Sequence, residues 1–460
     1  MENDERHPAA PAQACEAADL IIQGGIVLTL AQESSPPQHA TICVKDGRIS
    51  AILTDGAPLK GRGREGRILD ASGALVLPGL VNAHTHAAMT IFRGYADDLP
   101  LNTWLFEKIF PAEAEHLSPE TVYWGTLLGC AEMIASGTTC FLDGYFFEDA
   151  ALRAVADSGM RALVCQGVID FPAPGVPDPK RNLETARRFI EAWNDVSDRV
   201  TPGLFCHSPV TCSTRTITGA YEMSAAFGIP FPLHLSETQE ETLEVLERFG
   251  KRPVQYLDAL GVLDERTVAA HAIHLDREEI ALLGERGAKV VHVPQGNMKL
   301  SSGLAPVREM IRRGVRVGLG TDGCASNNNL DLLEEMDTAA KLSKIAQMDP
   351  EALDASTVLK MATLWGAEAL GLGDEVGTIE VGKQADLITI DLQAPHLTPL
   401  YDACSALVYS AGGGDVRDVV VAGRILMEKR CFKDLEIQEI LAEVRRIGKT
   451  VALGKSRNPC

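Results

Sequence analysis

The chain has 460 residues, 45% hydrophobic and 23% charged, values of a folded globular protein rather than a disordered or fibrous one. Acidic residues outnumber basic ones by 63 to 43, and a net charge of −20 argues against nucleic acid or a membrane surface as partner. No apolar run reaches the ~20 residues that span a bilayer, and the eleven cysteines fall singly with no CxxC pair. The opening residues lack the basic-then-apolar order of a secretory leader, so the expectation is a cytoplasmic protein with reduced thiols.

Residues 1–18 are Ala/Pro-rich and polar and read as a flexible lead. Short Val/Ile runs with Gly or Asp-Gly punctuation follow, and Asp46-Gly47 predicts a hairpin. The same texture returns in GTIEVGKQADLITIDL and DVRDVVVAGRILMEKR. Neither end is large enough for its own core, so residues 19–77 and 373–460 are expected to build one small β-sandwich domain. A last amphipathic helix is expected around Leu435 to Arg446.

Between residues 78 and 372 the rhythm is strand, loop, helix. Eight apolar runs end in polar residues: LVNAHTHA, TTCFLDGYF, RALVCQGVI, TPGLFCHSP, FPLHLSE, TVAAHAIHL, AKVVHVPQG and VRVGLGTDG. Helical patterns separate them, the clearest having Ser118 as cap and Gly137 as stop. Eight such units in about 300 residues predict an α/β fold, a (β/α)₈ TIM barrel.

The barrel's strand ends carry the chemistry. His84 and His86 are two apart on an extended strand, so both imidazoles face one way and can share a metal ion. His234 and Glu237 end the fifth run, His271 lies in the sixth and Asp322 ends the eighth. In such a barrel these C-terminal ends converge on one mouth. The aromatic run Tyr145, Phe146 and Phe147 is read as packing at a strand end.

The order HxH, HxxE, H, D on strands one, five, six and eight resembles the amidohydrolase superfamily. A bridging lysine on strand four is absent from GLFCHSP, which favours the mononuclear, deaminase-like branch. The stretches PGLVNAHTHAAMTIFRGYADDLPLNTWLFEKIFPAEAEHL, CHSPVTCS, LHLSET, NMKLSSGLAPV and GTDGCASNNNLD are similar to the 5′-methylthioadenosine/S-adenosylhomocysteine deaminase family. That resemblance implies metal ligands His84, His86, His234 and Asp322, holding one divalent ion, zinc first, with Fe²⁺ or Mn²⁺ also compatible. It implies that Asp322 accepts the proton of the attacking water and that His271 orients that water. Glu237 protonates the ring nitrogen and later helps deliver a proton to the departing amine. Substrate contacts map to Glu113, His207, Glu237 and Trp104, with either Arg181 or Asn182 also at the pocket. A family arginine on strand three is replaced by Gln166, and VPQGN departs from the usual Asn-Pro-x-Ser-Asn.

The function so implied is hydrolytic deamination of an adenosine thioether with release of ammonia. The partner is a small nucleoside-like molecule, and self-association is left open. Another aminopurine, a pterin or an s-triazine is the alternative within enzymes. A non-catalytic barrel scaffold ranks below both, since every expected ligand is present.

Overall fold

A computed structural model describes residues 15, 17–32, 36–54 and 66–457. The expected N-terminal lead falls almost wholly outside the described residues. The central element is a parallel sheet of eight strands in sequential order: Leu80–Thr85, Thr138–Tyr145, Arg161–Val168, Val200–Cys206, Phe231–Leu235, Thr267–His271, Lys289–His292 and Arg316–Leu319. The last meets the first where the backbone N–H groups of Thr321 and Asp322 donate to the His84 carbonyl at 3.2 and 3.1 Å. Asn82 fixes the same seam, donating to the Thr321 hydroxyl at 2.7 Å and accepting from the Thr321 N–H at 3.1 Å. The ring is a TIM barrel, and each of the eight apolar runs supplies one strand.

Helices cover the outside of this ring. The helix Pro119–Ala135 begins at Ser118, whose hydroxyl accepts from the Thr121 N–H, with Thr121 reciprocating. The helix Ile437–Arg457 runs beyond the expected end and pairs Arg446 with Glu120.

Both ends of the described chain build a ten-stranded mixed sheet. Leu387–Asp391 lies antiparallel to Ala74–Pro78, joining the late strands to the early ones. Leu20, Ile42, Val76, Leu387 and Val420 share one buried cluster, which is why neither end suffices alone. At Asp46-Gly47 both residues take positive φ, 49° and 77°, as a tight hairpin between right-twisted strands requires.

Arg161, at the start of the third barrel strand, ties barrel to sheet. Its guanidinium forks over Asp386 at 2.7 and 3.2 Å, with both side chains buried. One expectation is corrected here. Cys15 and Cys43 form a disulfide, because the approach to strand Leu20–Gln23 brings Cys15 beside the paired strand Gln38–Lys45, with Cα atoms 5.2 Å apart. Among the described residues no helix is long and apolar enough to cross a membrane.

Candidate active site and metal centre

The C-terminal ends of the barrel strands open into a cavity of about 420 Å³. At its floor, ligand atoms of His84, His86 and His234 lie within 4.8 Å of one another. Asp322 Oδ1 stands 3.5 Å from His84 Nε2 and 3.3 Å from His86 Nε2. His86 Nδ1 meets the Gly144 carbonyl at 2.5 Å, and His234 Nδ1 meets the His207 carbonyl at 2.9 Å. Each carbonyl holds the proton on Nδ1 and leaves the Nε2 lone pair facing the centre. His84 Nε2 is buried with no hydrogen-bond partner. Three imidazole nitrogens and a carboxylate turned inward together fit a divalent cation.

Charge follows this arrangement. Burial holds His84 down to about 4 and His234 well below the ordinary histidine value, so both are neutral imidazoles at pH 7, the form that can bind a metal ion. Burial pushes the Asp322 carboxyl up, but the close approach of His84 and His86 outweighs it and holds Asp322 well below the usual carboxylate value. Ser326 donates to Asp322 Oδ2 at 2.6 Å, which leaves Oδ1 toward the histidines. The glycine of GTDG has a steric reason. A Cβ on Gly320 would sit 2.8 Å from the Cβ of His84.

Glu237 and His271 form the next layer. Glu237 Oε2 lies 3.7 Å from His271 Nε2, and Ser302 donates to Glu237 Oε1 at 3.4 Å. Burial raises Glu237 above the usual carboxylate range, so it holds a proton more readily than an exposed glutamate. Its backbone is pinned by Glu241, which accepts from the N–H groups of Ser236 and Glu237 at 3.2 and 2.7 Å. His271 Nδ1 meets Asn297 Oδ1 at 2.8 Å, an arrangement that presents the unprotonated Nε2 to the site. Ser236, His271 and Asp322 have φ of 52°, 70° and 62°, left-handed conformations that cluster at functional strand ends.

The cavity wall brings in Trp104, Glu113 and His207, as expected. Trp104 Nε1 is buried without a hydrogen-bond partner, and the segment Thr103–Ile109 that carries it is a π-helical turn. Burial pushes the Glu113 carboxyl up to about 7, against the Tyr145 hydroxyl, which donates to Oε1 at 2.6 Å. Burial also holds His207 down to about 3, and its Nδ1 meets the Thr211 hydroxyl at 2.8 Å.

Arg181 does not join this wall. Its guanidinium is exposed and paired with Glu184 at 3.2 Å, beside a separate surface depression. Asn182 donates to the Ile169 carbonyl at 3.0 Å and to Asp170 at 2.9 Å, and also does not line the cavity. Three contributors escaped the sequence reading. Tyr145 is a partner of Glu113 as well as a packing residue, Asn297 fixes His271, and Glu241 fixes the backbone of Glu237.

A model of the amidohydrolase family matches residues 75–426. The chain belongs to the amidohydrolase family. It is 47% identical over 437 residues to a 5-methylthioadenosine/S-adenosylhomocysteine deaminase of Syntrophobacter fumaroxidans, covering 94% of this chain and 98% of that protein. A 5′-deoxyadenosine deaminase of Methanosarcina mazei is 45% identical over 430 residues, 93% of this chain and 97% of its own length. Among solved structures, a zinc-bound adenosine deaminase from Xanthomonas campestris superposes with a TM-score of 0.91 at 39% identity, covering 95% of this chain and 99% of that one. A zinc complex of atrazine chlorohydrolase from Arthrobacter aurescens gives 0.86 at 23% identity over 93% and 100%, a likeness of fold alone. Amidohydrolases of this kind are metal-dependent, and this member is a hydrolytic deaminase.

Proposed function

We propose that this amidohydrolase deaminates an adenosine bearing a 5′ thioether, S-adenosylhomocysteine or 5′-methylthioadenosine, to its inosine analogue with release of ammonia. The observation that carries the reading is Glu113. It is a buried carboxylate, fixed by Tyr145, in the same cavity as the ligand set and Glu237, and chemically suited to accept hydrogen bonds from ribose hydroxyls. The names of the relatives above support the same substrate class.

His84, His86, His234 and Asp322 would hold one divalent ion, with zinc the best match to three imidazoles and a carboxylate. Such an ion, when bound, makes an activated water available at neutral pH by lowering its pKa to ~7. His271 orients the attacking water through Nε2. Asp322 accepts the proton lost when the water oxygen bonds to the aminated ring carbon. Glu237 gives its proton to the adjacent ring nitrogen, which removes the aromatic penalty of attack. In collapse of the adduct, the proton on Asp322 leaves with the amine as ammonia, a delivery that the family resemblance assigns in part to Glu237. The remaining hydroxyl proton returns to Glu237, so both carboxyl groups end as they began. Trp104 Nε1 and His207, buried polar groups on the cavity wall, are available to the base and sugar.

The test follows the absorbance of each thioether during turnover, then repeats it with Glu113→Ala. Both thioethers should react with the wild-type protein, and a site built around sugar hydroxyls should lose several orders of magnitude in kcat/KM without that carboxylate. The nucleoside assignment fails if neither thioether reacts while a triazine, a pterin or a free base does. Unchanged kcat/KM in Glu113→Ala would remove the ribose contact and leave the substrate standing.

A further inference from the structure

The outer half of the cavity bears on the 5′ substituent. With the ring at the ligand set and the ribose at Glu113, that substituent points to the mouth, marked by the exposed residues Phe106, Glu240 and Glu244. One wall of the mouth is apolar. Phe106 is 51% exposed and stacks edge-on against Phe110 at 5.4 Å, with Val210 also lining the cavity. The first part of helix Gln239–Phe249 also lines the mouth and contributes the carboxylates of Glu240 and Glu244, the second of them paired with Arg248. Among the described residues lining the cavity there is no lysine or arginine.

Two cations lie near the mouth, and neither lines the cavity. Arg248 donates to Glu244 at 3.1 Å and to the Val210 carbonyl at 2.8 Å, and does not line the cavity. Lys299 lines a neighbouring depression that Glu240 also borders, and its ammonium is held by Asp97 at 2.6 Å. Gln166 does not reach the cavity either. Its Oε1 accepts from the Glu148 N–H at 3.5 Å, and its Nε2 donates to the Gly167 carbonyl at 3.3 Å.

Resting on the adenosine thioether reading, we infer that the mouth selects among 5′ substituents by charge, taking neutral or cationic ones and disfavouring any that carries a carboxylate. Apolar side chains and the Glu240 carboxylate on one lining suit a methyl, a methylthio or an aminoalkyl group. A carboxylate at the same place would meet Glu240, with no lysine or arginine on the cavity lining to offset it.

The experiment compares kcat/KM of the metal-loaded protein for three nucleosides. These are 5′-methylthioadenosine, S-adenosylhomocysteine, and the 5′-(3-aminopropylthio) analogue that differs from the second only by loss of its carboxylate. The aminopropyl compound is expected to exceed S-adenosylhomocysteine by about tenfold or more. Its advantage should shrink as salt is raised, while the value for 5′-methylthioadenosine stays flat. In Glu240→Gln/Glu244→Gln the preference for the amine should fall several-fold. Turnover of S-adenosylhomocysteine equal to or faster than that of the amine, as a cation supplied by a second copy of the chain would produce, overturns the inference and leaves the deaminase reading intact. Failure of all three nucleosides to react overturns both.

Discussion

Replacing Tyr145 by phenylalanine removes one oxygen and one hydrogen bond, the 2.6 Å contact to Glu113 Oε1. Both partners are buried, so water cannot replace the lost donor. A hydrogen bond to a charged group is worth ~1.5–3 kcal/mol, which corresponds to roughly 10–150-fold in an equilibrium. The bond favours the ionised carboxyl, and burial opposes it, with the balance at about 7. Glu113 accepts ribose hydroxyls best when ionised, so kcat/KM should fall as pH drops through that range. Without Tyr145 the carboxyl is protonated at still higher pH. The acid limb of the pH profile should therefore move up by about one to two units, at ~1.4 kcal/mol per unit. At pH 7, where about half of the wild-type carboxyl is ionised, the variant should lose roughly 7–80-fold in kcat/KM and recover part of it in alkaline buffer. A 2′,3′-dideoxynucleoside, lacking the hydroxyls, should be nearly indifferent to the substitution. The assay is initial rate of deamination across pH for both nucleosides. An acid limb that stays in place, or an equal loss with both nucleosides, would refute this role for Tyr145.

Glu237→Gln should retain metal and lose roughly 10²–10⁴-fold in kcat, since its proton transfer is removed and no ligand is touched; an unchanged kcat would take Glu237 out of the mechanism. Asn297→Ala should lower kcat by about 10–100-fold through misorientation of His271, and Asn297→Asp should restore part of it as an acceptor at the same atom; equal rates for wild type and the alanine variant would end that role. Arg161→Met leaves Asp386 buried and uncompensated and should destabilise the chain by ~3–5 kcal/mol in denaturant titration, whereas Arg161→Met with Asp386→Leu should recover most of this. A single variant as stable as wild type would show that the barrel-to-sheet ion pair contributes little.

The barrel was legible because each of its strands is a continuous apolar run that stops at a polar residue, as strands buried on both faces must. The candidate ligand set was legible for a related reason: HTH, HLSE and GTDG sit where those runs stop, and a barrel gathers its strand ends. Tyr145 was not legible, since a tyrosine beside two phenylalanines carries no sign of a partner 32 positions earlier in helix Phe110–His116. Asn297 was hidden similarly. It bonds His271 across 26 residues, and only the seventh strand's exit into helix Pro294–Lys299 brings it there. Cys15 and Cys43 looked like unrelated thiols because the approach of Cys15 to strand Gln38–Lys45 is not written in cysteine spacing. Arg181 illustrates the opposite error, in which a local match placed at the pocket a side chain that the chain turns toward Glu184.

The most direct test counts ammonia and metal on one preparation. Protein purified with metal, the same protein after chelation, and the chelated protein reloaded with zinc are each given 5′-methylthioadenosine. Ammonia release should equal inosine-analogue formation and scale with metal content, reaching about one ion per chain at full activity. His86→Ala should neither hold the ion nor release ammonia. Full ammonia release from the chelated protein, or from His86→Ala, would contradict the account.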